Sequence, residues 1–161
     1  MKKNHSDNIF DAIIIGAGCA GWSMAYHLKA VRPNLSILLL DKACKTKNDR
    51  TWCFWEACDP VLQDMVCKSW DYLSVHHTQK SYRSTLKQAY QCIQAADFYR
   101  TMRAALPDCQ FVQTEVHHVK TSADRVYIST EAQNYVAKYV FDSRLDASFA
   151  LPTSANHPFL L

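Results

Sequence analysis

Glycine is scarce in this 161-residue chain, which has three glycines where ordinary usage of roughly 7% would give about 11. All three fall in one short segment, as Gly16, Gly18 and Gly21. Glycine adopts backbone conformations and permits close approaches that side chains prevent. The segment is therefore expected to be a loop whose conformation or contacts only glycine allows.

Paired cysteine motifs are absent, because none of the seven cysteines has a partner at C-x-x-C spacing. An odd number of unpaired cysteines argues against a disulfide framework or a zinc site and fits a reducing cytoplasm. We expect each cysteine to be a small, buried apolar side chain. The pairs His76-His77 and His117-His118 also predict no metal site, since neighbours on a strand point to opposite faces.

A strong charge bias and a long apolar run are also lacking. The net charge is +3 and the cationic residues are scattered, so nucleic acid is not an expected partner. The longest apolar run, residues 12–26, is about 15 residues, short of the ~20 that a membrane-spanning helix needs. It is also broken by the three glycines, and it is interpreted as a buried strand that turns into a helix.

A βαβ unit is predicted around the glycines. Residues 10–15 form a short β-branched run, typical of a parallel strand buried on both faces. Residues 19–31 have helical spacing and residues 36–41 form a second buried strand, which ends at Asp41. The right-handed crossover rule makes the two strands parallel neighbours.

The glycine loop has the G-x-G-x-x-G spacing of dinucleotide-binding proteins, in the context that this motif requires. It follows a buried strand, opens a helix, and precedes an acid, Asp41, twenty residues after Gly21. In such a loop Gly16 makes the tight turn, Gly18 lets a pyrophosphate approach the backbone, and Gly21 lets the helix pack on the strand. The helix N-terminus attracts the phosphates and Asp41 accepts hydrogen bonds from ribose.

The remaining elements distinguish FAD from NAD as the expected cofactor. Residues 42–88 are a tryptophan-rich excursion in which 72–77 and 80–85 are predicted strands, and a helix is predicted over 88–106. Alternating residues at 110–119, 125–130 and 135–141 predict an antiparallel meander that returns to the first sheet. An NAD enzyme would continue with another strand–helix unit, so this layout favours FAD.

Residues 48–55, with the sequence NDRTWCFW, resemble the lycopene cyclase family, whose members combine this string with a GAGCAG-type loop. The segments 90–93, 97–99 and 140–144 also resemble family segments, so the similarity covers about residues 9–145. It implies a partial Rossmann-type FAD-binding α/β domain with a parallel sheet, one crossover helix and a β-meander. Within it lies the excursion 42–88, and residues 146–161 form a tail.

The resemblance further implies a lycopene β-cyclase, which closes the ψ-ends of lycopene into β-ionone rings by acid-initiated cyclisation, with FAD reduced by NAD(P)H. A reduced flavin beside a carbocation in a dry pocket is a strong electrostatic stabiliser. Family members are longer, and their F-L-E-E-T-type acidic motif and later glycine-rich segment are absent here. The chain is therefore expected to be a fragment that does not cyclise lycopene alone.

The predicted cofactor contacts come from the glycine loop, its partner acid and later polar residues: Gly16, Gly18, Cys19, Ala20, Gly21, Asp41, Lys42, Arg50 and Asp142. The catalytic acid is unassigned. Glu56, the acid beside the tryptophan cluster, is one candidate, against an exposed residue at a helix start.

For several of these residues a structural role is the alternative. Arg50 either contacts FAD or pairs with Asp49. Asp142 either contacts the pyrophosphate or caps a strand end, since Ser143 replaces the glycine of the D-G motif of flavin hydroxylases. The aromatic residues Trp52, Phe54 and Trp55 either line a channel for a polyene or form an aromatic core.

Two further alternatives concern function and location. Another FAD enzyme of the same fold, such as an aromatic hydroxylase or a geranylgeranyl reductase, competes with the cyclase, and a non-enzymatic remnant that folds but binds nothing is the third hypothesis. A cytoplasmic location is expected, and acting on lycopene would need peripheral contact with the inner face of the membrane. Lys42, Lys45 and Lys47 either meet anionic headgroups there or only solvate a loop.

Overall fold

The computed structural model describes residues 8–55 and 59–144, which form two β-sheets and three helices. In chain order the elements are β1 Ile9–Ile15, α1 Cys19–Val31, β2 Ile37–Asp41, β3 Thr51–Trp55, α2 Pro60–Gln63, β4 Val66–His77, β5 Lys80–Gln94, α3 Ala95–Ala105, β6 Gln110–Gln113, β7 Val116–Thr121, β8 Val126–Thr130 and β9 Asn134–Asp142. The mixed α/β prediction is confirmed.

The first sheet has six strands in the order β6-β2-β1-β9-β8-β7. β1 pairs in parallel with β2 on one side and with β9 on the other, and β6 extends the parallel part beyond β2. β8 and β7 follow β9 as antiparallel strands. The βαβ unit and the meander that returns to the first sheet are therefore both present.

Each face of this sheet has its own hydrophobic core, which explains the consecutive apolar residues 12–15 in β1 and 37–40 in β2. Ile14 and Leu39 face one core together with Trp22 of α1 and Phe98 of α3. Ile13 and Leu38 face the other, with residues of β8 and β9. A strand buried on both faces has no place for alternating polar residues.

The second sheet contains β3, β5 and β4, with β5 in the middle and both neighbours antiparallel to it. It is built from most of the predicted excursion. The strands predicted at 72–77 and 80–85 are the turn-proximal parts of a long hairpin made by β4 and β5.

The helix predicted over residues 88–106 is wrong in about its first third. Residues 88–94 belong to β5, and α3 begins only at Ala95. Tyr90, Cys92 and Ile93 pair across to β3, so this segment is bonded to a strand on each side. Tertiary pairing has overridden a local helical spacing, as it often does for segments with β-forming residues.

The single element predicted at 110–119 is also two strands. β6 pairs in parallel with β2, whereas β7 pairs antiparallel with β8. The meander proper is therefore β7, β8 and β9.

The prediction that every cysteine is buried is wrong. Cys92 is buried, but Cys44, Cys53 and Cys67 are exposed, and Cys19 and Cys109 are half-buried. Cys53 and Cys67 lie on the edge strands β3 and β4 of the three-stranded sheet, whereas Cys92 lies between them on the central strand β5. Within residues 8–55 and 59–144, no helix is both long and apolar enough to cross a membrane.

Candidate dinucleotide-binding site

The glycine loop joins β1 to α1 at the carboxyl end of the parallel strands. Gly16 turns the chain with φ of 101°, in the region that L side chains rarely adopt, and its N–H donates to the Leu40 carbonyl oxygen at 2.8 Å. A Cβ at Gly16 would also overlap the Ser143 hydroxyl. Both the conformation and the contact therefore require glycine.

Gly21 and Gly18 have different surroundings. A Cβ at Gly21 would overlap the carbonyl oxygen of Gly16, so this glycine allows α1 to lie directly against the turn. A Cβ at Gly18 would meet no described atom within 4 Å. The backbone at Gly18 therefore faces open space, which is where a ligand can approach it.

The first turn of α1 is well suited to an anion. Gly18 is the N-cap, no side chain within the described chain caps the helix, and the first turn contains no acidic residue. The first N–H groups of a helix have no intrahelical partners and carry a partial positive charge. Cys19 and Ala20 are in this turn, the first half-buried and the second exposed. Burial raises the pKa of the Cys19 thiol, which keeps it neutral.

Asp41 ends β2 beside the loop and braces it. Its Oδ2 accepts a hydrogen bond from the Ala17 N–H at 2.8 Å, and its Oδ1 accepts one from the Ala43 N–H at 2.8 Å. Lys45 Nζ lies 3.3 Å from Oδ2. A carboxylate has about four lone-pair sites, so these contacts leave acceptor capacity for a ligand.

A cavity of about 250 Å³ opens between the strand ends next to this acid. Its walls come from the ends of β1 and β2, from the β6–β7 connection and from Arg144: Ile15, Gly16, Leu40, Asp41, Lys42, Thr114, Glu115, Val116 and Arg144. Residues 114–116 and Arg144 were not among the predicted contacts. Residues 114–116 follow β6 and reach the cavity through the pairing of β6 with β2, whereas Arg144 follows β9 and reaches it through the pairing of β9 with β1.

Asp142 ends β9 opposite the end of β1 and is bound by Arg144. The Arg144 side chain contacts it at 2.8–3.2 Å, and the Arg144 N–H donates to Oδ1 at 3.0 Å. Hydrogen bonds from Arg144 lower the pKa of the Asp142 carboxyl, against a smaller opposing effect of burial. Ser143 donates through its hydroxyl to the Ile15 carbonyl oxygen at 2.8 Å. The structure therefore gives Asp142 the contacts of a strand-end cap.

This ion pair predicts a specific pH dependence for Asp142→Asn. Because the pKa of Asp142 is lower in the folded protein than in the unfolded chain, the pair stabilises the protein above about pH 4 and ceases to do so as pH falls through the folded value. Both side chains are over 30% exposed, so we expect a loss of at most about 1 kcal/mol at neutral pH. Urea unfolding of both proteins at neutral and strongly acidic pH measures this. A loss of equal size at both would contradict it.

The cationic residues of the 42–50 loop are not equivalent. Lys42 lines the cavity, whereas Lys45 is committed to Asp41, which argues against a headgroup contact for Lys45. Arg50 is exposed, and no ion pair joins it to Asp49 within the described chain. Glu56, the candidate acid, lies outside the described residues. No group of three metal-binding side chains occurs in residues 8–55 and 59–144.

Tyr99 of α3 is a buried polar residue that the sequence analysis did not single out. It is 1% exposed, and its hydroxyl has no hydrogen-bond partner among the described residues. Burial, with the nearby charges of Asp49 and Asp41, raises its pKa, so it stays a neutral donor. A donor buried without a partner costs free energy unless a ligand or water satisfies it.

The two interpretations of Trp52, Phe54 and Trp55, a polyene channel or an aromatic core, apply to different residues. Trp52 packs against Phe98 and Tyr99 with ring centroids 5.3 and 5.8 Å apart, and Phe54 also packs on the core. Trp55 is 51% exposed and lies on the other face of the sheet. Two of the three residues are therefore aromatic core.

The structure is a mixed α/β domain with a G-x-G-x-x-G loop between its first strand and first helix. Similar solved structures are the halogenase PltM in complex with phloroglucinol and FAD (TM-score 0.62, 18% identity, 84% of this chain and 34% of that chain) and p-nitrophenol 4-monooxygenase PnpA from Pseudomonas putida DLL-E4 (TM-score 0.66, 12% identity, 82% and 40%). At these identities the likeness concerns the fold.

Within that fold, a sequence profile of the family described as lycopene cyclase protein matches residues 11–157. The chain belongs to the lycopene cyclase family. It is 26% identical over 140 residues to lycopene beta-cyclase of Pantoea ananas, an alignment that covers 84% of this chain and 35% of that protein. The chain thus spans about a third of the length of this relative.

Proposed function

We propose that this chain is the FAD-binding part of a lycopene β-cyclase. The observation that carries the proposal is the uncapped N-terminus of α1, which opens beside Gly18 and the strand-end acid Asp41 in a chain of the lycopene cyclase family. The open space at Gly18, the cavity beside Asp41 and the absence of an acid in the first helical turn all suit a dinucleotide with a charged pyrophosphate.

Each part of the site would hold a different part of FAD. The N–H groups of Gly18, Cys19 and Ala20 would bind the pyrophosphate, and Asp41 would accept from the adenosine ribose. Residues 114–116 would border the adenine, and Arg50 would approach the phosphates from the loop. The positions of Gly18, Cys19, Ala20, Asp41 and residues 114–116 around the loop and the cavity support these assignments, and the role of Arg50 rests on its place in the 42–50 loop.

Once bound and reduced, FAD would supply negative charge close to the positive charge that develops on lycopene during cyclisation. This chain's residues bind and orient the cofactor. NAD(P)H as the source of electrons is part of the proposal. We expect cyclisation itself to need segments that correspond to the rest of the relative's length, including an acid kept protonated by apolar surroundings.

Titration of the purified protein with FAD tests the proposal. Binding should quench flavin fluorescence in a saturable way and should raise the melting temperature, because a ligand that binds only the folded state stabilises it. Absence of both effects at millimolar FAD would overturn the proposal.

Replacement of Asp41 is expected to reduce both affinity and stability. Asp41→Ala should weaken FAD binding by roughly 0.5–3 kcal/mol, or about twofold to 150-fold, through the lost ribose hydrogen bond. It should also lower stability, because the Ala17 and Ala43 N–H groups lose their acceptor. Fluorescence titration and thermal unfolding measure the two effects separately.

Thr130→Ala is the matched control for Asp41→Ala. Thr130 braces the turn between β8 and β9 by contacts with Gln133, outside the cavity beside Asp41. This variant should lose stability and keep its FAD affinity. An unchanged affinity in Asp41→Ala would show that Asp41 is not a ribose ligand.

A flavin hydroxylase is the second candidate, favoured by the similarity of the fold to a halogenase and a monooxygenase. The products distinguish the two. A cyclase converts lycopene to an isomer of equal mass, whereas a hydroxylase adds an oxygen atom to its substrate. Chromatography with mass detection on carotenoids from lycopene-accumulating cells that express the family-length protein would decide.

A further inference from the structure

A row of three aromatic side chains crosses the three-stranded sheet. Trp55 on β3 is directly opposite Tyr90 on β5, and Tyr90 is directly opposite Trp70 on β4. The ring centroids of Trp55 and Tyr90 are 4.9 Å apart, and those of Tyr90 and Trp70 are 6.0 Å apart. Directly opposed residues share one face, so the three rings form a continuous aromatic strip perpendicular to the strands.

The strip lies on the face turned away from the core. Trp52 and Ile93 are paired three positions away along the same strands, and both pack into the core. Because side chains alternate along a strand, an odd spacing places the strip on the opposite face. Trp55 and Trp70 are accordingly 51% and 37% exposed, and contiguous exposed apolar surface of this kind marks an interaction site.

A groove of about 470 Å³ runs along this strip. Tyr72, Leu73 and Leu86 continue its apolar wall, and among the described residues that line it none is charged. Its size is in the range of small-molecule sites. Ser74 and the tyrosine hydroxyls are the polar side-chain groups in its lining. A polypeptide segment is a poor occupant for such a groove, because each of its N–H and C=O groups needs a hydrogen-bond partner.

We propose that this groove binds the conjugated hydrocarbon chain of the substrate, with the polyene laid across the rings of Trp55, Tyr90 and Trp70. The proposal rests on the proposed function, which supplies a polyene as substrate. The seven lining residues are uncharged, and two cationic side chains border the groove: Lys68 Nζ lies 5.7 Å from the Trp70 ring centroid and the Arg83 guanidinium lies 4.5 Å from that of Tyr72. Aromatic faces stack on a flat conjugated chain, and Trp55 and Tyr90 have no such cation over their rings among the described residues. Adjacent strands are about 4.8 Å apart, so three rings in a row contact an extended stretch of chain.

Circular dichroism in the visible band of lycopene tests the proposal. Lycopene is achiral, so a signal in its absorption band appears only when a chiral site binds it. The protein mixed with lycopene in non-ionic detergent should give a saturable signal. The double variant Trp55→Ala, Trp70→Ala should bind lycopene about tenfold more weakly or worse, because two of three contact surfaces are removed.

Two matched variants control for folding and for general loss of apolar surface. Trp55→Phe with Trp70→Phe keeps aromatic faces in the groove and should retain most of the signal. Tyr82→Ala removes an exposed ring, 62% exposed, from the same sheet but outside the groove, and should leave binding unchanged. Far-ultraviolet circular dichroism verifies that all variants fold.

The outcomes separate this inference from the proposed function. A wild-type protein that binds FAD but gives no lycopene signal, or a double alanine variant with unchanged lycopene affinity, would overturn the groove and leave the flavin site standing. Conversion of a dimer to a monomer in the double variant, with lycopene binding intact, would show that a second copy covers the face and would also overturn it. Failure of FAD titration would count against the proposed function alone.

Discussion

Gly18→Val should abolish FAD binding and leave the fold intact. The backbone at Gly18 is extended, with φ −78° and ψ −165°, a conformation that valine readily adopts, and a Cβ there meets no described atom within 4 Å. The valine methyl groups would instead occupy the space in which the pyrophosphate meets the backbone. Loss of two charge-assisted hydrogen bonds is enough for more than about a hundredfold weaker binding.

Fluorescence titration with FAD and urea unfolding measure the two halves of this prediction. Gly18→Ala is the graded control, since one methyl group occupies less of the ligand space and should weaken binding less. A Gly18→Val protein that binds FAD with wild-type affinity would refute the placement of the pyrophosphate. A protein that fails to fold would refute the view that Gly18 serves a ligand rather than the fold.

Gly21→Ala should have the opposite effect, with a large loss of stability. A Cβ at Gly21 would overlap the Gly16 carbonyl oxygen, and it would also lie 3.3 Å from Cγ2 of Ile14. The obstructing atom belongs to backbone held between β1 and α1, so α1 would have to move away from the sheet. We expect a loss of about 3 kcal/mol or more in the free energy of unfolding, the upper end for overpacking a core.

Urea unfolding of Gly21→Ala beside Gly18→Ala measures this difference within one loop. Alanine is the better helix former by about 1 kcal/mol, so a measured loss understates the cost of the clash. Gly18→Ala should remain within about 1 kcal/mol of the wild type. Equal stabilities for the two variants would mean that α1 does not need its close approach to the turn.

The pair of predictions assigns the glycines of one short motif to different tasks. Gly18 leaves room for a ligand, whereas Gly16 and Gly21 let the strand, the turn and the helix fit together. Ser143 takes part in the same fit, because its hydroxyl lies where a Gly16 side chain would be and bonds to the Ile15 carbonyl oxygen. The serine that departs from the D-G pattern thus has a structural role at the loop.

Several features of the fold could be predicted because their signals are local. The bounds of α1 are those expected, Cys19–Val31, since small residues and helical spacing begin after the glycines and Arg32-Pro33 follow the last turn. The strands on either side carry apolar runs, residues 12–15 in β1 and 37–40 in β2, as parallel strands covered on both faces require. Asp41 comes directly after the apolar residues of β2, so its position at the strand end could be predicted from the same run.

Other features could not be predicted, because they depend on partners distant in sequence. Residues 88–94 have a helix-compatible spacing, and only their pairing with residues 51–55 and 66–70 makes them a strand. Likewise, residues 110–113 and 116–121 look like one alternating segment until β6 pairs with β2 and β7 with β8.

The amino-acid sequence by itself determined the βαβ unit, the glycine loop and its partner acid, because hydrophobic runs and glycine spacing act over a few neighbouring residues. Only the tertiary structure decided what surrounds them. It placed residues 114–116 and Arg144 beside Asp41, bound Asp41 to the Ala17 N–H, and aligned Trp55, Tyr90 and Trp70 across three strands. Such contacts arise from strand register, which depends on pairing between segments far apart in the chain.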